Sequence, residues 1–173
     1  MAGGHKNEST HANRVRVTRS RFEQNVVNLD APPWYLKPDR HEEEILDGKM
    51  PNEVEMFNSI LPLLDRIDNV HVIEGALYSD ELELAGRTDL IAEFDGQLAV
   101  IDYKTSRKIK KWEYCHNYFM QGAFYAHAYE ERTGVPINNI VIIMAVENEK
   151  PLLFEETKER WLNPLNEVRH KYM

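Results

Sequence analysis

The sequence predicts an α/β domain built on a mixed central β-sheet flanked by helices. Three observations carry that expectation. Asp95-Gly96 separates two apolar, partly alternating runs, Leu90-Ile91-Ala92-Glu93-Phe94 and Gln97-Leu98-Ala99-Val100-Ile101, which is the pattern of a two-residue β-hairpin. Ile140 to Val146 is a continuous, largely β-branched run, as a strand buried on both faces requires. Between them, Trp112 to Arg132 carries helical spacing, and Gly134 and Pro136 stop it.

The elements follow in order. Residues 1–13 are polar, contain glycine and lack periodicity, so they read as flexible. Arg14-Val15-Arg16-Val17-Thr18-Arg19 alternates like a strand with one basic face, and Ala31-Pro32-Pro33-Trp34 reads as a loop. Residues 1–37 are therefore expected to form a flexible or basic arm, and residues 38–173 a single domain. Asp39-Arg40-His41-Glu42 resembles a capping box opening a short helix that ends near Gly48. Asn52-Glu53-Val54-Glu55 opens a second helix. Its apolar face is Val54, Phe57, Ile60, Leu61 and Leu64, with Pro62 expected to introduce a kink. Val70 to Tyr78 reads as a strand and Leu82 through Phe94 as its partner. After the long helix and the Ile140 strand, Pro151 to Phe154 should complete a hairpin. A helix from about Thr157 should then run to the C-terminus, interrupted near Pro164.

Composition narrows the class. At 173 residues the chain has room for one well-filled core. Hydrophobic content is 42% without an apolar run near 18 residues, so no membrane helix is expected. The start shows no charged region followed by an apolar one, which argues against secretion and for a cytoplasmic protein. The single cysteine, Cys115, can form neither an internal disulfide nor a cysteine-rich metal centre. It is expected to pack as a small apolar residue.

The net charge is −8, yet residues 1–21 carry +4 and residues 104–111 carry +5, leaving −17 on the remainder. Such segregation matters more to a polyanionic partner than the sum does. Arg107, Lys108, Lys110 and Lys111 form an acid-free run that suits a phosphate backbone; its bland alternative is a solvated loop.

The hairpin also fixes chemistry. If Asp95-Gly96 is the turn, residues whose numbers sum to 191 face one another, and Asp89 falls opposite Asp102. Lys104 shares the face of Asp102, because side chains alternate along a strand. Two carboxylates so placed have Cβ atoms about 5 Å apart and repel. Lys104 and Arg87 would offset that repulsion as a buried ion cluster. A divalent cation would do so better, since hard ions take carboxylate oxygens and keep their waters. With a lysine alongside, such a site suits attack on a phosphodiester by activated water.

The pattern Gly86-Arg87-Thr88-Asp89, twelve residues, then Asp102-Tyr103-Lys104-Thr105, followed by Gln121-Gly122-Ala123-Phe124-Tyr125, resembles the PD-(D/E)XK nuclease superfamily in its RecB-like branch. The resemblance spans about residues 70–147. It implies a restriction-endonuclease-like core, with Asp89, Asp102 and the Tyr103 carbonyl as metal ligands. It also implies that Lys104 orients the attacking water, while Gln121 and Tyr125, sharing a helix face, contact the site or the DNA backbone. A further ligand from an N-terminal helix is expected. His41 stands in the right order but lacks the usual glutamate four residues on, and Glu53, Glu55 and Glu74 are alternatives.

Lacking four cysteines, the chain cannot resemble the members that hold an iron–sulfur cluster. It is similar instead to the small cluster-free exonucleases of phage or mitochondrial genome maintenance type. That likeness implies a Mg²⁺-dependent deoxyribonuclease, with Mn²⁺ as substitute, acting on single-stranded DNA or free ends in a cytoplasm, a phage's host included. Arg87 would join the basic run in contacting DNA. A structure-specific endonuclease and a non-catalytic DNA-binding module of the same fold are the alternatives.

Overall fold

The computed structural model describes residues 52–172. The expected N-terminal arm, its alternating basic strand, the Pro32-Pro33 loop and the helix carrying His41 lie outside the described residues.

Helix α1 spans Asn52–Leu64 and strand β1 Ile67–Ser79. Strands β2, Leu84–Phe94, and β3, Gln97–Ser106, follow. A 3-10 turn at Trp112–Tyr114 precedes helix α2, His116–Thr133. Strands β4, Asn139–Val146, and β5, Leu152–Thr157, lead into helix α3, Lys158–Tyr172. The five strands lie in the order β1-β2-β3-β4-β5, with β3 and β4 parallel and the other pairs antiparallel. The sheet is mixed because α2 carries the chain back across it between β3 and β4, as a parallel pair demands.

The hairpin register is the expected one. Phe94 pairs with Gln97, Glu93 with Leu98 and Ile91 with Val100, all summing to 191. Asp95 and Gly96 both have positive φ, 50° and 80°, the backbone of a type I′ turn that a Cβ-free second residue favours. Arg66 clamps this corner. Its Nε lies 3.0 Å from Asp95 Oδ1, and the ion pair holds the Asp95 carboxyl below the usual carboxylate range.

Alternation along the strands sorts the sheet into two faces. Leu90, Ala92, Phe94, Ala99, Ile101, Tyr103, Val141, Ile143 and Ala145 pack with Ile60 and Leu64 of α1. Ile91 and Val100 face Phe124, Tyr125 and Ala128 of α2. Ile140, Ile142, Met144 and Val146 meet Phe119, Ala123 and Trp161 on the same side. Thus α1 covers one face and α2 with α3 the other, and β4 is buried on both. Cys115 is buried among Phe119 and Trp161.

Several boundaries differ from expectation for local reasons. β1 starts at Ile67, earlier than Val70, and its pairing with β2 shifts between Asp68 and Val72; Asn69, at φ 42°, marks that irregularity. β2 begins at Leu84 because Asp80 to Glu83 form the turn. Trp112 to Tyr114 are 3-10 and not part of α2. Neither Pro62 nor Pro164 ends its helix. Leu162 and Leu165 pack beneath α2 on either side of Pro164, and that burial offsets the lost backbone bond. Among the described residues, no helix is long and apolar enough to cross a membrane.

Helix α2 approaches β4 so closely that a Cβ on Gly122 would lie 2.4 Å from Cγ2 of Ile140. Gly122→Ala is expected to cost about 1–3 kcal/mol through overpacking. Chemical denaturation checks this; an unchanged midpoint would mean the helix can withdraw from β4 without penalty.

Candidate active site

Two strands and one helix converge where β2 and β3 part. Their regular ladder runs from Phe94–Gln97 to Leu90–Ile101. Beyond it the Asp89 side chain replaces a backbone partner, its Oδ2 accepting the Tyr103 N–H at 3.0 Å. Asp89 and Asp102 are therefore not a simple facing pair at the end of the ladder. They still share a face, because Asp89 alternates with Ile91 and Asp102 with Val100, both turned toward α2. Both are buried, at 7% and 4% exposure.

Lys104 joins them from the same face of β3. Its Nζ stands 2.6 Å from Asp102 Oδ2 and donates to Gln121 Oε1 at 3.3 Å. Gln121 Nε2 in turn donates to Tyr125 Oη at 3.3 Å, and Tyr125 also receives a backbone N–H from Arg87. Residues 102, 104, 121 and 125 thus form one connected chain of polar contacts. The four-residue spacing of Gln121 and Tyr125 on α2 places both over the end of β3.

Electrostatics follow burial. Asp102 is raised from 3.8 to about 7, first by burial and then by the Asp89 charge, against the lowering effect of Lys104. Burial would lower Lys104, but the Asp102 carboxylate outweighs it and holds the ammonium above its ordinary range. Burial likewise raises the Tyr125 phenol. Asp102 Oδ2 is buried and depends on the Lys104 ammonium, 2.6 Å away, as its cationic partner. A single ammonium leaves this carboxylate pair short of positive charge. Its all-oxygen donors suit a hydrated hard cation such as Mg²⁺, which needs only one or two carboxylates.

The other expected site residues are distributed as follows. The Tyr103 side chain packs in the α1-side core, while its peptide adjoins the site through the bond to Asp89. Arg87 is exposed, which removes it from a buried ion cluster: solvation of its guanidinium leaves the compensation inside to Lys104. Glu55 is exposed on α1 and lines a groove with Glu147 to Pro151, away from the carboxylate pair. Glu74 sits on β1 in the register position facing Asp89, between the pairs Ile73–Leu90 and Gly75–Thr88. Its φ of 50° breaks the regular pleat there. His41 and the Glu53 side chain lie outside what is described. Among the described residues, no group of three or more His, Cys, Asp or Glu side chains is arranged to hold a metal ion.

Arg107, Lys108 and Lys111 are exposed on the segment leaving β3. Lys110 instead folds back, its Nζ donating to Tyr118 Oη at 2.9 Å. Tyr118 stands three residues before Gln121, on the helix face that Gln121 and Tyr125 share, and that spacing is the signal by which the sequence points to it.

Comparison with known proteins identifies the family and the fold. A profile of the PD-(D/E)XK nuclease superfamily matches residues 11–165. Mouse mitochondrial genome maintenance exonuclease 1 is 35% identical over 69 residues, covering 40% of this chain and 20% of that protein. The human protein of the same name is 29% identical over 100 residues, covering 58% of this chain and 27% of that one. The chain therefore spans little more than a quarter of either relative at most. A crystallised Eubacterium rectale protein, provisionally described as an exonuclease, shares the fold. Its TM-score is 0.51 at 14% identity, over 96% of this chain and 66% of that one.

Proposed function

The chain belongs to the PD-(D/E)XK nuclease superfamily, and from that premise we propose that it is a divalent-metal-dependent deoxyribonuclease trimming DNA from a free end. The observation that carries the reading is the convergence of Asp89, Asp102 and Lys104, two buried carboxylates sharing one ammonium. Asp89 and Asp102 would hold the ion, Mg²⁺ or Mn²⁺, with the Tyr103 carbonyl and an N-terminal residue such as His41 completing the set. When bound, such an ion neutralises phosphate charge and makes water a better nucleophile.

The protein's own groups do the rest. Lys104, fixed between Asp102 and Gln121, offers its remaining N–H to the attacking water or to a phosphate oxygen that gains charge. Gln121 and Tyr125 hold that ammonium in place, and the broken bond would leave a 5′-phosphate. The exonuclease preference is supported by the names of the relatives.

The deciding experiment is digestion of end-labelled single- and double-stranded DNA, blocked at either end, beside a circular control, with and without Mg²⁺. Loss of label from free ends and survival of circles is the expected result. Cutting of circles would make the protein an endonuclease, and no cutting in any metal would leave a DNA-binding module.

The basic run should govern affinity. Neutralising Arg107, Lys108, Lys110 and Lys111 together should weaken DNA binding and flatten its log–log salt slope by about 3, at roughly 0.7–0.9 for each phosphate no longer neutralised. A salt titration of fluorescence anisotropy reads this directly; an unchanged slope would assign the run to solvent.

A further inference from the structure

Tyr118 lies one helical turn before Gln121, and its ring collects two cations from different parts of the chain. Lys104 Nζ is 5.1 Å from the ring centroid and Lys110 Nζ 5.3 Å. Lys110 Nζ also donates to the Tyr118 hydroxyl at 2.9 Å. Both ammoniums fall inside the distance at which an aromatic face attracts a cation. Lys110 is the member of the basic run that is drawn back onto the site, while Arg107, Lys108 and Lys111 remain exposed.

Lys104 is thereby restrained by three groups of different kinds. Asp102 supplies charge, Gln121 an acceptor, and Tyr118 an apolar, electron-rich wall. An ammonium on a flexible four-carbon stem needs such a wall to keep one orientation. A tyrosine that merely filled space beneath a lysine-rich loop would meet Lys110 alone.

We propose that Tyr118 is a positioning residue, fixing Lys104 through its ring face and a phosphate-gripping Lys110 through its hydroxyl. The two functions separate by atom. The ring sets the geometry of the reacting lysine, and the hydroxyl sets where the strand is held just beyond it. This rests on the nuclease reading above.

Steady-state kinetics on an end-labelled oligonucleotide test it, with Y118F and Y118L compared with wild type. Y118F keeps the ring and removes the acceptor for Lys110, so KM should rise about threefold to tenfold, the loss of one hydrogen bond, while kcat is largely preserved. Y118L removes both, so KM should rise similarly and kcat should fall about tenfold. K110A should reproduce the KM increase of Y118F, and the double variant should be no worse than either single.

A wild-type kcat in Y118L, a kcat in Y118F as low as in Y118L, or additive KM effects in the double variant would each overturn the assignment. Proton signals of the lysine ε-methylenes provide a readout independent of turnover. The ring should displace them upfield in wild type and Y118F but not in Y118L, and undisplaced signals in wild type would also overturn it. If wild type does not cut DNA at all, the nuclease reading falls; if wild type cuts and Y118L matches it, only the role of Tyr118 falls.

Discussion

Lys104→Ala and Asp102→Asn are each expected to reduce DNA cleavage by roughly a hundred- to a thousandfold, the usual loss on removing a preorganised charge from a reacting centre. The two should fail for different reasons. Lys104→Ala removes the ammonium whose contacts with Asp102 and Gln121 aim it at the site, yet both carboxylates remain to hold a cation. Asp102→Asn removes the carboxylate that Asp89 cannot replace, since Asp89 is also engaged with the Tyr103 N–H. Mn²⁺ should therefore still raise the melting temperature of Lys104→Ala and have little effect on Asp102→Asn. Initial rates on end-labelled DNA, with melting curves with and without Mn²⁺, check both statements. Near wild-type turnover in either variant would make the cluster a structural ion pair.

Much of this site was legible because it depends on local rules. Asp95-Gly96 dictated a two-residue turn, the turn dictated register, and register put Asp89 and Asp102 on one face. The four-residue spacing of Gln121 and Tyr125 did the same for the helix above them. What the sequence could not supply were departures from regularity. Nothing local says that the β2–β3 ladder stops at Leu90 so that the Asp89 carboxylate can bind a peptide N–H. The bend that returns Lys110 to Tyr118 while its neighbours stay in solvent is equally tertiary. Pro164 misled for the opposite reason: its local cost is real, but packing by Leu162 and Leu165 overrides it. Register also offered Arg87 as a buried partner for the carboxylates, the alternative to a metal, but Arg87 stands exposed.

Asp102→Asn should also remove one component of the pH dependence of stability in the metal-free protein. The native pKa of Asp102 lies near 7, above its reference value of 3.8. Between those values the native state holds a proton that the unfolded state has released. The associated stability is complete below about pH 4 and is lost as pH rises through about 7. Asparagine has no such titration, because its amide is neutral throughout. The advantage of Asp102→Asn over wild type should thus grow by about 2–3 kcal/mol between pH 5 and pH 8, from two titrating units at 1.36 kcal/mol each. At pH 5 the protonated acid and the amide are near equivalents, and the two proteins should melt together. At pH 8 the variant should melt higher, since wild type then buries a charge that Asp89 repels and Lys104 only partly offsets. Saturating Mg²⁺ or Mn²⁺ at pH 8 should close the gap by stabilising wild type alone, as binding to the native state requires. Urea denaturation at both pH values, in EDTA and then in excess metal, measures all four quantities. A difference between the proteins that does not change from pH 5 to pH 8 would mean that Asp102 is already satisfied as an anion without metal.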